Sequence, residues 1–274
     1  VTRTAAVVGG GTMGAGIAHV LLAAGDRVTV AEAGEERADA ARQAVAASLG
    51  KAQDRGKLDA PADDLLTRLD VVPAIDQLPG TAELVIEAVP EDVELKRGIL
   101  AQVRKACPDA LLASNTSSLS IRRLGDDVIG MHFFNPVPVQ VLLELVVHDD
   151  LDPAQVVKAR DWAESLGKTV IEVRDSPGFA TSRLGVAVGL EAIRMLEEGV
   201  ASAEDIDTGM RLGYGWPMGP LRLTDLVGLD VRLSIAEHLT TELGPRFAAP
   251  ELLRNKVARG ELGRKTGRGF FDWS

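Results

Sequence analysis

The stretch that most constrains this chain is its opening, TAAVVGGGTMGAGIA, residues 4–18. Small and β-branched apolar residues (Ala5, Ala6, Val7, Val8) run into three glycines, and a helical pattern starts at Met13. Gly9, Gly11 and Gly14 fit G-x-G-x-x-G. In a strand-to-helix turn of this kind one glycine permits the tight bend, one admits a pyrophosphate to the backbone, and one lets helix approach strand. The N–H groups and positive dipole end of the new helix would then hold phosphates. A second apolar strand, Val28 to Ala31, ends at Glu32, about 20 residues on, where an acid hydrogen-bonds ribose hydroxyls. A carboxylate there repels a 2′-phosphate, so the reading is a dinucleotide site for NAD rather than NADP.

Beyond Glu32 the chain alternates. A polar, Ala-rich helix is predicted over 35–57, with a basic end around Ser48, Lys51, Arg55 and Lys57. That end reads either as a solvated helix terminus or as a landing site for an anionic ligand tail. Strands are predicted at 69–72, 84–86, 110–113, 128–131, 142–147 and 169–173, with helices at 92–106 and 153–166. Alternation of this kind implies an α/β domain with a doubly wound, mostly parallel Rossmann-type sheet. After Ser176-Pro177-Gly178 the pattern is helical only: about 179–198, a helix opened by a Ser202/Asp205 capping box, 221–243 and 250–259. We therefore divide the chain into 1–176, a dinucleotide-binding domain, and 177–274, a smaller all-α domain. The first helix of the second part is apolar on several sides, which suits a helix buried in a bundle or shared with a second subunit.

At 274 residues with a formal charge of −10, the chain lacks the basic balance a nucleic-acid binder needs. Cys107 is the single cysteine, so no internal disulfide forms; it reads as a packing residue, and no Cys/His cluster suggests a metal site. Apolar runs are broken well short of about 18 residues, which argues against a membrane span. No charged-then-apolar leader precedes the first strand, and the expectation is a cytoplasmic protein.

Of the histidines, His19 and His238 fall inside predicted helices and His148 closes a strand beside Asp149 and Asp150. His132 instead ends a short strand and opens the proline-dense turn HFFNPVPV. Twelve residues on, Glu144 interrupts an apolar run, where a carboxylate is costly unless paired. If the turn folds back, Glu144 can accept from one imidazole nitrogen, fix the tautomer and leave the other nitrogen as general base. A base beside a nicotinamide is the minimum needed to oxidise an alcohol. Ser117 and Asn135, on loops at the sheet edge, are candidate hydrogen-bond partners for the substrate oxygen. A structural histidine with a solvent-facing strand glutamate is the competing reading.

Seven motifs in order, VVGGGTMGAGIA, EAVPEDVELK, SNTSSLSI, GMHFFNPVPVQVLLE, DSPGFATSRL, LGYGWPMGPLRLTDLVGLD and GRKTGRGFFDW, span nearly the whole chain. In them it resembles the short-chain L-3-hydroxyacyl-CoA dehydrogenases, the family that includes 3-hydroxybutyryl-CoA dehydrogenase. The resemblance implies oxidation of an L (3S) alcohol on an acyl-CoA, with His132 and Glu144 as the catalytic pair and Ser117 and Asn135 contacting substrate and cofactor. It implies NAD contacts at Gly9, Gly11, Thr12, Met13, Gly14, Glu32, Ala88, Val89, Glu91, Lys96 and Lys265. It implies CoA contacts near Ser48 and Arg55, a helical domain that forms a homodimer, and an active site between the domains. The chain departs from the family at Ser182, where PGFxxNR has asparagine, and in a short loop between Ser118 and Met131. These departures keep open a hydroxyacyl group on an acyl carrier protein, or a free hydroxy acid, as substrate. A non-catalytic NAD-binding protein is the alternative of a different class.

Overall fold

The computed structural model describes residues 2–273, and the chain divides after Asp175 into two compact units. The first holds β1 (Thr4–Val8), α1 (Thr12–Ala23), β2 (Arg27–Ala31), α2 (Glu35–Asp54), α3 (Ala62–Leu66), β3 (Leu69–Val72) and β4 (Leu84–Glu87). It continues with α4 (Val93–Ala106), β5 (Leu111–Ser114), β6 (Val128–Phe133), β7 (Leu142–Val147), α5 (Pro153–Ser165) and β8 (Thr169–Arg174). The eight strands form one sheet in the order β3-β2-β1-β4-β5-β6-β7-β8, parallel except where β6 meets β7. Chain order therefore reverses between β1 and β4, and a crevice opens there at the carboxyl ends of the strands.

The strands are apolar runs because both sheet faces are covered. Ala5, Ala6, Val7, Leu84 and Ile86 are all fully buried. Helix α1, built of small and aliphatic residues, is enclosed from Gly14 to Leu22. The polar helix α2 contributes a narrower stripe, Ala38, Ala41, Val45 and Leu49, at helical spacing. Asp92 caps α4, its side chain accepting from the Leu95 N–H at 2.7 Å. Cys107, just beyond α4, is buried with Sγ 3.3 Å from the Pro79 carbonyl, and burial pushes its thiol up, which suits a packing residue.

The second unit consists of α6 (Thr181–Glu197), α7 (Ala203–Gly213), α8 (Pro220–Val227), α9 (Leu229–Leu243) and α10 (Glu251–Ala258) around Val186, Leu190, Ile193, Leu221, Leu229, Leu239 and Leu253. Ser202 caps α7 as expected, its hydroxyl accepting from the Asp205 N–H at 3.1 Å. Two expectations need correction, and one element is an addition. The pattern over 221–243 is two helices, because Gly228 (φ 106°) interrupts it. The helix expected from Phe179 starts at Thr181, since Phe179 has φ 49°. The five-residue α3 was not expected at all; its sequence, ADDLL, is too short to show a period.

One buried acid secures the end of this unit. Asp225 on α8, 1% exposed, accepts from the Phe270 and Phe271 N–H groups at 2.8 and 2.9 Å and from the Trp273 indole at 2.8 Å. Asp225→Ala leaves three donors without their acceptor. It should lower stability by roughly 3–5 kcal/mol, read as a lower urea midpoint by tryptophan fluorescence. An unchanged midpoint would show that the C-terminal segment adds nothing to the fold.

Candidate active site

At the β1–β4 crevice the glycine turn has the geometry a dinucleotide needs. Gly9 takes φ 97°, and a Cβ there would lie 2.9 Å from the Ala88 carbonyl oxygen; one at Gly14 would lie 1.7 Å from the Gly9 oxygen. Turn, helix and the loop after β4 are thus packed backbone to backbone. The start of α1 at Gly11 has no side-chain cap, and a Cβ at Gly11 would meet nothing within 4 Å. An uncapped helix start facing open space is an anion site. Glu32, at the end of β2, accepts from the Gly10 N–H at 2.5 Å and the Ala33 N–H at 3.1 Å. Its carboxylate is therefore fixed beside the turn. A cavity of about 790 Å³ runs along Gly9, Gly11, Thr12, Met13 and Glu32 to Ala88 and Val89, walled by Ile75, Leu95 and Ile99. These residues fit NAD: amides for the diphosphate, a carboxylate for ribose hydroxyls, and apolar walls for the rings.

The next two strand ends are joined by a knot of charge. Glu87, fully buried at the end of β4, takes hydrogen bonds from the Lys96 ammonium (2.7 Å), the Ser114 hydroxyl (2.6 Å) and the Val89 N–H (2.6 Å). Lys96, 1% exposed, also donates to the Val89 carbonyl at 3.0 Å and lies 3.5 Å from Glu91. Glu91 in turn accepts from the Thr116 hydroxyl (2.6 Å) and the Ser117 and Ser118 N–H groups (both 3.1 Å). Burial alone would raise the Glu91 pKa; the Thr116 hydroxyl, Lys96, and the Ser118 and Ser117 donors override it and hold the carboxyl below its usual range. Ser117 is left exposed on this anchored loop. Asn115 closes the other side, its side-chain oxygen accepting from the Phe133 N–H at 2.9 Å.

His132 and Glu144 meet directly. They are cross-strand partners in the antiparallel β6–β7 ladder, and Nδ1 lies 2.7 Å from the Glu144 carboxylate. His132 is 5% exposed and Glu144 fully buried, so the carboxylate does not face solvent. The turn that follows exposes Asn135 and is clamped from below: the buried Lys168 ammonium donates to the Val137 and Gln140 carbonyls at 2.6 and 2.7 Å.

Ser48 and Arg55 sit at the far end of α2. Arg55 is exposed at the helix C-terminus, and the Ser48 hydroxyl lies 2.8 Å from His19 Nδ1 on α1. Ser182 and Lys265 belong to the helical unit. Ser182 lies in the first turn of α6, and Lys265 pairs with Asp230 at 2.6 Å. Sequence reasoning missed Glu87, Lys168 and the contact made by His19, and it held Asn115 only as part of the polar cluster at the end of β5. Glu87 alone left a trace, as an acid closing an apolar strand. Among the described residues no cluster of His, Cys, Asp or Glu could hold a metal ion, and no helix is long and apolar enough to cross a membrane.

A Rossmann switch point with a dinucleotide crevice, and a buried histidine–carboxylate pair at the same sheet edge, define the class: an NAD-linked oxidoreductase. Comparison with known proteins makes this specific. The family model described as 3-hydroxyacyl-CoA dehydrogenase, NAD binding domain, matches residues 4–176, and that of the C-terminal domain matches 178–273. The chain belongs to the 3-hydroxyacyl-CoA dehydrogenase family. It is 42% identical to a 3-hydroxybutyryl-CoA dehydrogenase of Mycobacterium tuberculosis over 97% of both chains. It is 36% identical to the mitochondrial hydroxyacyl-coenzyme A dehydrogenase of Rattus norvegicus, covering 97% of this chain and 90% of the relative. Among solved structures, (S)-3-hydroxybutyryl-CoA dehydrogenase PaaH1 from Ralstonia eutropha superposes with a TM-score of 0.93 at 40% identity, covering all of both chains.

His19 generates a pH prediction. Desolvation, and then the Lys168 charge, lower its pKa from 6.5 to about 4, so the folded protein keeps it neutral. As pH falls from about 6.5 to about 4 the unfolded chain gains a proton that the folded chain refuses, and stability drops across that window. In His19→Gln, which can still hydrogen-bond Ser48, the loss of stability between pH 7 and pH 5 should shrink by about 2 kcal/mol. Parallel urea titrations at the two pH values test this; identical pH dependence in both proteins refutes it.

Proposed function

We propose that this protein interconverts a (3S)-3-hydroxyacyl-CoA and the corresponding 3-ketoacyl-CoA. The observation that carries the reading is the buried His132–Glu144 contact of 2.7 Å, at the same sheet edge as the NAD crevice. NAD, when bound, accepts the hydride from the hydroxyl-bearing carbon. His132, through the imidazole nitrogen that does not face Glu144, takes the hydroxyl proton during oxidation and returns it during reduction. Glu144 fixes the tautomer and stabilises the imidazolium that forms. Ser117 and Asn135 hydrogen-bond the reacting oxygen.

In this reading NAD lies on Gly9, Gly11, Thr12, Met13, Gly14, Glu32, Ala88 and Val89, with Glu91 and Lys265 as further contacts. Lys96 bears on it through the Val89 carbonyl that it holds. Ser48 and Arg55 receive the CoA moiety, and the cations Lys51, Arg55 and Lys57 suit its phosphates. Ser182 stands beside the acyl group. A CoA thioester is favoured over a carrier protein because the basic residues that could dock an acidic carrier are few, the end of α2 and the Arg122–Arg123 pair, and Arg122 already faces Asp150 at 2.8 Å. We further propose a cytoplasmic homodimer formed through the helical unit. Support comes from a groove of about 600 Å³ lined by Ala187, Val188, Met195 and Met210, and from Leu212 and Tyr214, each nearly four-fifths exposed.

His132→Ala should cut acetoacetyl-CoA reduction, followed by NADH oxidation, at least about 1,000-fold while leaving NADH affinity within about threefold. Glu144→Gln should lose about 100-fold through kcat. Turnover of His132→Ala near the wild-type rate would falsify the assigned base.

A further inference from the structure

Arg37 is the third residue of α2, behind the uncapped start at Gly34 and after Glu35 and Glu36. The two acids suit the positive dipole end of a helix, and a guanidinium there opposes it. Helical spacing offers no relief, because the positions three and four away are Gly34, Ala33, Ala40 and Ala41. Among the described residues Arg37 is exposed and makes no hydrogen bond or ion pair. It nevertheless lines the cofactor cavity of about 790 Å³, together with Glu32, Ala33, Pro73, Ala74 and Ile75. No protein contact offsets the poor placement of this charge, and the space it borders is the cavity.

Strand order says which part of the cofactor reaches it. β3 lies outside β2 in the sheet, with Ala31 beside Val72, and the Gly34 N–H continues the pairing by donating to the Pro73 carbonyl at 3.0 Å. Ala33 and residues 73–75 therefore lie beyond Glu32 as seen from the glycine turn, and Arg37 borders the cavity with them. With the diphosphate on the turn and the ribose at Glu32, the adenine comes next. Its neighbours there are small and apolar side chains and one planar cation. A guanidinium stacks on an aromatic face by cation–π attraction and by planar contact. The other chemistry open to an arginine at this place is a 2′-phosphate. That is disfavoured, because the Glu32 carboxylate, held by the Gly10 and Ala33 N–H groups, stands at the ribose and would repel it.

We propose that Arg37 covers one face of the adenine ring of NAD, which makes its guanidinium a binding residue for the adenosine half of the cofactor. The inference rests on the proposed placement of NAD along Gly9, Glu32 and Val89, and it is independent of which alcohol is oxidised. An arginine without an ion pair keeps its planar face available to a ring, and the ring gains a cover on the side of the cavity that meets solvent. The contribution is expected in the Kd of NADH.

The test measures the Kd of NADH, by its fluorescence, for wild type, Arg37→Ala, Arg37→Lys and Glu32→Ala. Arg37→Ala should raise Kd about fivefold. The rise should persist in about 0.5 M NaCl, where the field of an exposed charge on the diphosphate is screened and a stacked contact is not. Arg37→Lys keeps the charge without the plane and should recover only a small part of the loss. The Tm of Arg37→Ala without cofactor should equal or exceed that of wild type, since alanine is the better helix former, which separates weaker binding from a weaker fold. Full recovery in Arg37→Lys, or a loss that disappears in salt, reduces Arg37 to a charge and overturns the stacking. Wild type that binds NADPH as tightly as NADH, with Arg37→Ala losing NADPH the more, assigns the residue to a 2′-phosphate and overturns it too. Glu32→Ala checks the placement itself and should raise Kd at least about tenfold. Unchanged affinity in Glu32→Ala removes the placement and the Arg37 contact with it, whereas a loss in Glu32→Ala with none in Arg37→Ala removes the stacking alone.

Discussion

The Glu87–Lys96 ion pair is the constraint on which the cofactor edge of the sheet depends. Both groups are withdrawn from water, at 0% and 1% exposure, and the pair is tolerable because Glu87 also receives the Ser114 hydroxyl and the Val89 N–H. Those donors come from the end of β5 and the loop after β4, while Lys96 comes from α4. One carboxylate therefore fixes three segments at once. Removing either charge would strand the other in the interior, at a cost of about 3–5 kcal/mol. Through Lys96 the arrangement reaches Glu91, and through Glu91 the backbone of Ser117. The loop against which the glycine turn packs and the loop that carries a substrate-contact candidate thus share one electrostatic anchor.

The catalytic candidates depend on a different constraint, strand register. His132 faces Glu144 because β7 runs antiparallel to β6 in a register that pairs them. A slip of one residue would turn the glutamate to the opposite sheet face and bury it without a partner. The proline-dense turn between the strands then need not create the contact. Its task is to return the chain in register and to present Asn135, and Lys168 secures it by holding two of its carbonyls. The end of α2 is linked to the same region, since His19, which meets Ser48, feels the Lys168 charge.

This division explains what the sequence made legible. Apolar runs, the glycine spacing and the acid after β2 are local patterns, and the strands and the crevice follow from them within a residue or two. The twelve-residue spacing of His132 and Glu144 was readable because a carboxylate inside an apolar run demands a partner. The roles of Lys96 and Glu91 were not. Resemblance offered them as cofactor contacts, whereas Lys96 bonds first to its near neighbours Glu87 and Val89, and Glu91 to the Thr116–Ser118 loop, which only folding brings close. Arg232 is the same problem in another form. On α9 it reads as one polar position of an amphipathic helix, and nothing in the local pattern says that it packs against a glycine, Gly185.

With a net charge of −10, the long-range field of this chain opposes an anionic ligand, so binding must come from short-range features. The chain offers two kinds of positive site, and they differ in how firmly they hold an anion. The uncapped start of α1 presents amides that any phosphate can use. The cations at the end of α2 are solvated, so each adds little, and what they add is screened by salt. Affinity for a long anionic ligand is therefore anchored where the amides are fixed by the turn, and the solvated cations add to it mainly at low ionic strength.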